Sequence, residues 1–396
     1  MRVLVVHDRY HAAEHGGEAN VVRREGHLLA AHGVETRLLE WLPAEADASL
    51  ASRGWALARG AYSRPSYDRV TAAIRDFAPD VVHIHNFWPQ ATAAVHYASR
   101  AAGVAVVQTL HNYLILCANG VLLRDQRPCE LCVDRAIPWQ AVRHRCMRRS
   151  FARSAVVAAT FGAYRLADTW NRTVDVFIVP SQSMRDRFVR SGIDPRRIVI
   201  KPQSAPDHGE GTTERRYFFY AGKLSPEKGV ATLLEAWEGC SDIALHIAGD
   251  GSLKERVREA AARRPNIQYL GALPPTGVAT AMRGAIATVV PSLWEEPFPL
   301  VIAESYAAAT PVIAADIGSR GETVADGETG LVVPAGDPEA LRRAVRWAAE
   351  HSDELRRMGT AARKRYESFY SEEAAWAHLT SIYAQARRAA AERGKR

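Results

Sequence analysis

Two carboxylates, Glu296 and Glu304, stand eight residues apart in WEEPFPLVIAESYAAATPVIAAD, residues 294–316. The run IATVVPS (286–292) before them predicts a buried strand, LVIAESYAAA a helix and PVIAAD (311–316) the next strand. A strand, a loop and a helix start form a ready anion site, because unpaired N–H groups and the helix dipole point at it. Leu300 and Val301 would supply such backbone donors. Glu296 falls in the loop and Glu304 about two turns into the helix, so the acids would meet a ligand at separate points, one near its reacting end.

A second constellation, YAGKLSPEKGVATLLEAW (220–237), brackets a turn with Lys223 and Lys228 just before a helix. Two mobile ammonium charges beside a helix start suit a pyrophosphate. The chain has 45 arginines but only six lysines, so two lysines in one loop stand out. Near the N-terminus, HGGEANVV (15–22) sets Gly16 and Gly17 before a helix, where small residues allow close approach of a phosphate or sugar oxygen. VVHIHNFWP puts His83 and His85 on one strand face with Asn86 at its end, and VVQTLHNYLILCANG ends the next strand at His111. His83 reads as a structural hydrogen-bonder, while His85 and Asn86 are candidates on the acceptor side. Gly249-Asp250-Gly251 reads as a structural turn. Four of the five cysteines, Cys117, Cys129, Cys132 and Cys146, surround a Cys-x2-Cys knuckle, which is metal-ligand spacing and suggests a structural zinc; free thiols are the alternative.

These groups need a scaffold, and the apolar runs supply one. Six strand-length runs (2–6, 34–41, 80–85, 104–110, 174–180 and 198–202) and six more (217–222, 243–249, 267–271, 286–292, 311–316 and 330–334) alternate with helical patterns. Alternation of this kind implies parallel sheets buried on both faces. The 396 residues suit two domains, 1–202 and 217–370, joined by the polar stretch 203–216 as a linker. Hydrophobic residues make up 47% and charged ones 24%, an ordinary globular composition. MRVLVVHDRY reads as a first strand rather than a signal peptide, and no apolar run is long enough to span a membrane, so a cytoplasmic location is expected. The net charge of +7 is uneven: residues 135–167 carry seven arginines and no acid. With no nucleic-acid module nearby, an anionic membrane surface at the inner face of the membrane is the expected partner, not nucleic acid.

The Glu-x7-Glu pattern, with Pro-Phe after Glu296 and Thr-Pro-Val-Ile beyond Glu304, resembles the family-four retaining glycosyltransferases. The resemblance implies a GT-B fold of two Rossmann-like domains facing across a cleft, with the last helix (371–390) crossing back to the first. It implies that Glu296 binds donor-sugar hydroxyls, Glu304 the nucleotide ribose, His111 the donor sugar and the Gly16-Gly17 loop the donor phosphate. Three positions depart from the pattern: Pro299 and Ala309 stand where glycine is usual, and Lys223 where arginine is usual. The expected reaction moves a sugar from a nucleotide diphosphate sugar to an acceptor hydroxyl, a lipid-linked one being among the candidates. Lys228 and Lys223 would stabilise the departing diphosphate, with no cofactor required for catalysis. A phosphorylase or epimerase on the same fold is the alternative enzyme, and a nucleic-acid-binding protein the alternative outside enzymes.

Overall fold

All twelve runs fold as strands; those inside the sheets are continuous apolar segments because parallel strands covered on both faces need them, while the edge strands at 35–41 and 267–271 are more polar and exposed. The computed structural model describes residues 1–9, 17–42, 61–125, 127–211 and 214–394. The chain forms two compact units, one of residues 1–122, 129–201 and 376–396 and one of residues 123–128 and 202–375.

In the first unit, β1 (Arg2–Asp8), β2 (Glu35–Trp41), β3 (Val81–Asn86), β4 (Ala105–Thr109), β5 (Val176–Val179) and β6 (Ile198–Ile200) lie in the order β2-β1-β3-β4-β5-β6. Every pairing is parallel. One sheet face packs Val3, Val5, Val81 and Val107 against Val22 and Leu29 of the helix Gly17–Ala31 and against Leu379, Ile382 and Tyr383 of the helix Glu372–Gly394. The strand order reverses between β1 and β3, so the loops after these strands diverge and leave a crevice at their carboxyl ends.

In the second unit, β7 (Tyr217–Ala221), β8 (Leu245–Ala248), β9 (Ile267–Gly271), β10 (Ala285–Val290), β11 (Val312–Asp316) and β12 (Gly330–Pro334) follow the order β9-β8-β7-β10-β11-β12. That is the doubly wound dinucleotide-binding arrangement, with its switch point between β7 and β10. The stretch 203–216 is fastened to this unit rather than solvated throughout. The Ala205 amide donates to Tyr370 O at 2.9 Å, and Ala205 O accepts from Tyr366 Oη at 3.0 Å. Arg215 donates to Thr310 Oγ1 at 2.6 Å and to Ala309 O at 2.9 Å. These contacts run through side chains and carbonyls, which leave no apolar period in the sequence.

Candidate active site

The second unit places its two predicted constellations on the loops after β7 and β10, at the switch point. Lys228 Nζ lies 2.8 Å from Glu296 Oε1, and that oxygen also accepts from Ser292 Oγ at 3.0 Å. Lys228 stands 5.6 Å over the Trp294 ring. Glu296 is buried and Lys228 half-buried, which strengthens their attraction relative to a solvated pair. The loops are tied together where Leu293 N donates to Glu227 O at 2.8 Å. They also meet at Gly229, with φ +71°, where a Cβ would lie 1.9 Å from Pro291 O. The turn Gly249-Asp250-Gly251 buttresses the lysine loop, since a Cβ on Gly249 would fall 1.9 Å from Gly222 O.

The helix Leu300–Ala307 starts directly after Pro299, and no side chain caps it. Leu300 and Val301, both half-buried, therefore open the helix as predicted. Glu304 is its fifth residue and half-buried, one turn in rather than two. Lys223 is exposed at the rim. Ala309 has a left-handed backbone, φ 53°, at the position where the family pattern has glycine. Ser292, Trp294 and Ser319, whose Oγ donates to Glu296 O at 2.9 Å, were not singled out by the sequence; the residue types around a lone glutamate carry no such signal.

In the first unit, Asp8 ends β1 and His85 and Asn86 end β3. Asp8 Oδ2 accepts from the amides of Gln90 and Ala91 at 2.6 and 2.8 Å, while burial pushes its carboxyl up to about 6 against those hydrogen bonds. Burial, with the Asp8 charge, pushes Glu18 up to about 8. Asn86 is buried and serves the backbone: its amide donates to Asp8 O at 2.8 Å and its Oδ1 accepts from Phe87 N. Gly17 opens the helix Gly17–Ala31, and Gly16 lies outside the described residues.

His111 follows β4 and meets His85, with His85 Nδ1 and His111 Nε2 3.0 Å apart. Burial holds both rings well below the ordinary histidine value, so both are neutral near pH 7. His83 bridges Tyr383 Oη and Thr109 Oγ1, each at 2.8 Å, in the structural role the sequence assigned it. Two residues of this layer escaped the sequence reading: Glu25, 3.4 Å from His85 Nε2, and Lys201, 2.6 Å from Glu25. A signal existed for each. Glu25 interrupts the apolar register Val21, Val22, Leu28, Leu29, and Lys201 is the first lysine in the chain.

Among the described residues, Glu25, His83 and His85 are the group whose ligand atoms gather closely enough for a metal, within 4.8 Å of one another. The Glu25 carboxylate in that group is already paired with the Lys201 ammonium. The four cysteines are not gathered to that distance, yet Cys117, Cys146 and Cys129 all act on the Cys132 thiol, so they share one neighbourhood. Cys117 and Cys132 are buried, and burial raises both thiols. Cys117 Sγ instead donates to Asn119 Oδ1 at 2.9 Å.

Of the seven clustered arginines, Arg165 is not a surface charge. Its guanidinium donates to Ile115 O at 2.9 Å and Cys132 O at 3.0 Å, pinning the segment between them. Arg135, Arg143, Arg145, Arg148, Arg149 and Arg153 are exposed. Exposed beside them in the chain are Leu131, Ile137, Trp139, Phe151 and Leu166. No helix among the described residues is long and apolar enough to cross a membrane.

Two family models match the chain: "Glycosyltransferase Family 4" over residues 15–203 and "Glycosyl transferases group 1" over residues 205–365. A phosphatidyl-myo-inositol mannosyltransferase of Mycobacterium leprae is 28% identical, covering 88% of this chain and 87% of that protein. The D-rhamnosyltransferase WbpZ of Pseudomonas aeruginosa is 27% identical over 83% of this chain and 77% of its own length. Among solved structures, Anabaena HepE in complex with UDP superposes with a TM-score of 0.66 at 16% identity, over 97% of this chain and 100% of HepE. Sucrose-phosphate synthase from Thermosynechococcus elongatus gives a TM-score of 0.67 at 18% identity, over 96% of this chain and 98% of that one.

Proposed function

We infer that this chain, which belongs to the family-four glycosyltransferases, moves a sugar from a nucleotide diphosphate sugar to an acceptor hydroxyl with retention of anomeric configuration. The observation that carries this reading is the buried Lys228–Glu296 pair at the β7/β10 switch point, where a doubly wound sheet receives nucleotides. Lys228 and Lys223 neutralise the diphosphate as the glycosidic bond breaks. Glu296 accepts from hydroxyls of the transferred sugar, Glu304 from the ribose, and the amides of Leu300 and Val301 add donors at the helix start. The resemblance to the family supports His111 as a sugar contact. Because lysines supply the positive charge at the leaving group, this reading calls for no metal there. The resemblance to the family supports attack and departure on one sugar face.

The acceptor surface is read from residues 131–166. Six exposed arginines accompany exposed Trp139, Phe151 and Leu166, a composition that suits an anionic membrane interface, cations outside and aromatic side chains at the headgroup level. The phospholipid named in the M. leprae relative's description supports a lipid-linked acceptor. UDP in the HepE complex puts UDP-sugars first among donors to try, with GDP- and ADP-sugars beside them.

A thermal-shift screen against these donors, followed by product analysis, tests the reading. A donor at a hundred times its Kd should stabilise the protein by about 2.7 kcal/mol. Absence of any shift with all three nucleotides, or a product of inverted configuration, would overturn it. Incubation with nucleotide sugar alone and then with phosphate separates transfer to an alcohol from epimerase or phosphorylase chemistry.

A further inference from the structure

Glu25 sits on the core-facing side of its helix, and burial alone would raise its carboxyl. The Lys201 ammonium, 2.6 Å from Oε1, overrides that cost and keeps Glu25 ionised. Both side chains are almost fully buried, so this pair is a fixed charge layer rather than a surface bridge. The second carboxylate oxygen, Oε2, makes no well-formed hydrogen bond and faces His85 Nε2 at 3.4 Å and His83 Nδ1 at 3.9 Å.

A carboxylate only accepts, so the His85 nitrogen turned toward it is the one that gains by carrying the proton. His85 Nδ1 is then a bare lone pair, 3.0 Å from His111 Nε2, and His111 must provide the N–H between them. The two rings lie nearly parallel, 16° apart in plane, which suits this in-line arrangement. His111 is left with a bare Nδ1, and that atom is buried without a hydrogen-bond partner. Burial keeps both rings neutral, so neither gains a second proton that would erase the direction of the chain.

We propose that Lys201, Glu25 and His85 are positioning residues that fix His111 as its Nε2–H tautomer and leave Nδ1 as a hydrogen-bond acceptor for a sugar hydroxyl. The proposal rests on reading His111 as the sugar contact, and it assigns that contact a polarity. The sugar hydroxyl donates and the imidazole accepts.

The full-length chain labelled with 15N-histidine tests this directly, through long-range proton–nitrogen correlations near pH 7. The expected spectrum shows His111 protonated at Nε2 and bare at Nδ1. His85→Phe removes the acceptor for His111 and should lower kcat on the order of 10²-fold with little change in donor KM. His85→Asn, whose Oδ1 falls near the place of the lost Nδ1, should recover turnover to within about tenfold of the parent while His85→Phe does not. A His111 proton on Nδ1 in the parent protein, or unchanged kcat in His85→Phe, would overturn the proposal. Because the tautomer is read without turnover, a chain that transfers no sugar defeats the functional reading and leaves the spectrum to decide this one.

Discussion

Glu296 uses one oxygen twice: the Oε1 that meets Lys228 at 2.8 Å also accepts from Ser292. In the proposed function, donor binding shares Lys228 between a carboxylate and a diphosphate. Glu296→Gln keeps the shape and releases the cation. It should lower kcat on the order of 10²-fold while UDP affinity, measured by calorimetry, holds or tightens. Glu304→Ala should do the opposite and weaken UDP itself; full turnover in Glu296→Gln would reject the division of roles. The buried pair in the first unit obeys another rule. Removing either partner of a buried ion pair strands a charge, at a cost of about 3–5 kcal/mol. Glu25→Gln or Lys201→Met alone should thus lower stability in urea by about that much, and the double variant should regain most of it. Equal losses in single and double variants would show that packing, not charge, is what Glu25 contributes.

At the scale of elements, the strands were legible because central parallel strands are apolar throughout, and each of the runs seen in the sequence became a strand, the more polar edge strands β2 and β9 included. The second unit's half of the site was legible for a related reason: Lys223, Lys228, Glu296 and Glu304 lie within short strand–loop–helix segments, so spacing in sequence is spacing in space. The Glu25–His85–His111 layer was not, since its members come from a helix, a strand and the loop after another strand, and meet only after the sheet forms. Lys201 joins them from the end of β6, 176 residues from Glu25. The cysteine segment lies between these cases: the Cys132 thiol feels Cys117, Cys146 and Cys129, while the four sulfurs stand further apart than metal ligands do. Its flanking residues make a testable surface instead. Vesicle co-sedimentation should show binding that grows with anionic lipid and fades with salt, each exposed arginine contributing about 1 kcal/mol. Trp139→Ser with Phe151→Ser should weaken that binding and leave UDP affinity intact. Equal binding to neutral vesicles would refute a basic docking face.

For the molecule as a whole, acid is the vulnerable side. Burial holds His7, His83 and His96 down at about 4, so the unfolded chain takes up protons before the folded one does as pH falls below 6.5. Stability carried by these rings is complete above about 6.5 and drains away toward 4. Glu18, pushed up to about 8, works the other way: the folded state holds its proton more tightly, so its share is lost as pH rises from the ordinary carboxylate range to 8. Thermal melting across pH 4–9 should therefore peak between these limits, and Glu18→Gln should flatten only the alkaline side.

The scarcity of lysine has a practical side. Reductive methylation with 13C-formaldehyde would give this chain a handful of methyl signals, few enough to assign one by one. Lys223, exposed at the rim of the donor loop, and Lys228, half-buried beside Glu296, should shift on adding UDP. Lys201, sealed against Glu25, should stay unlabelled while the first unit is closed. Its slow labelling would time the opening of that unit, so one reagent reads ligand capture in the second unit and breathing in the first.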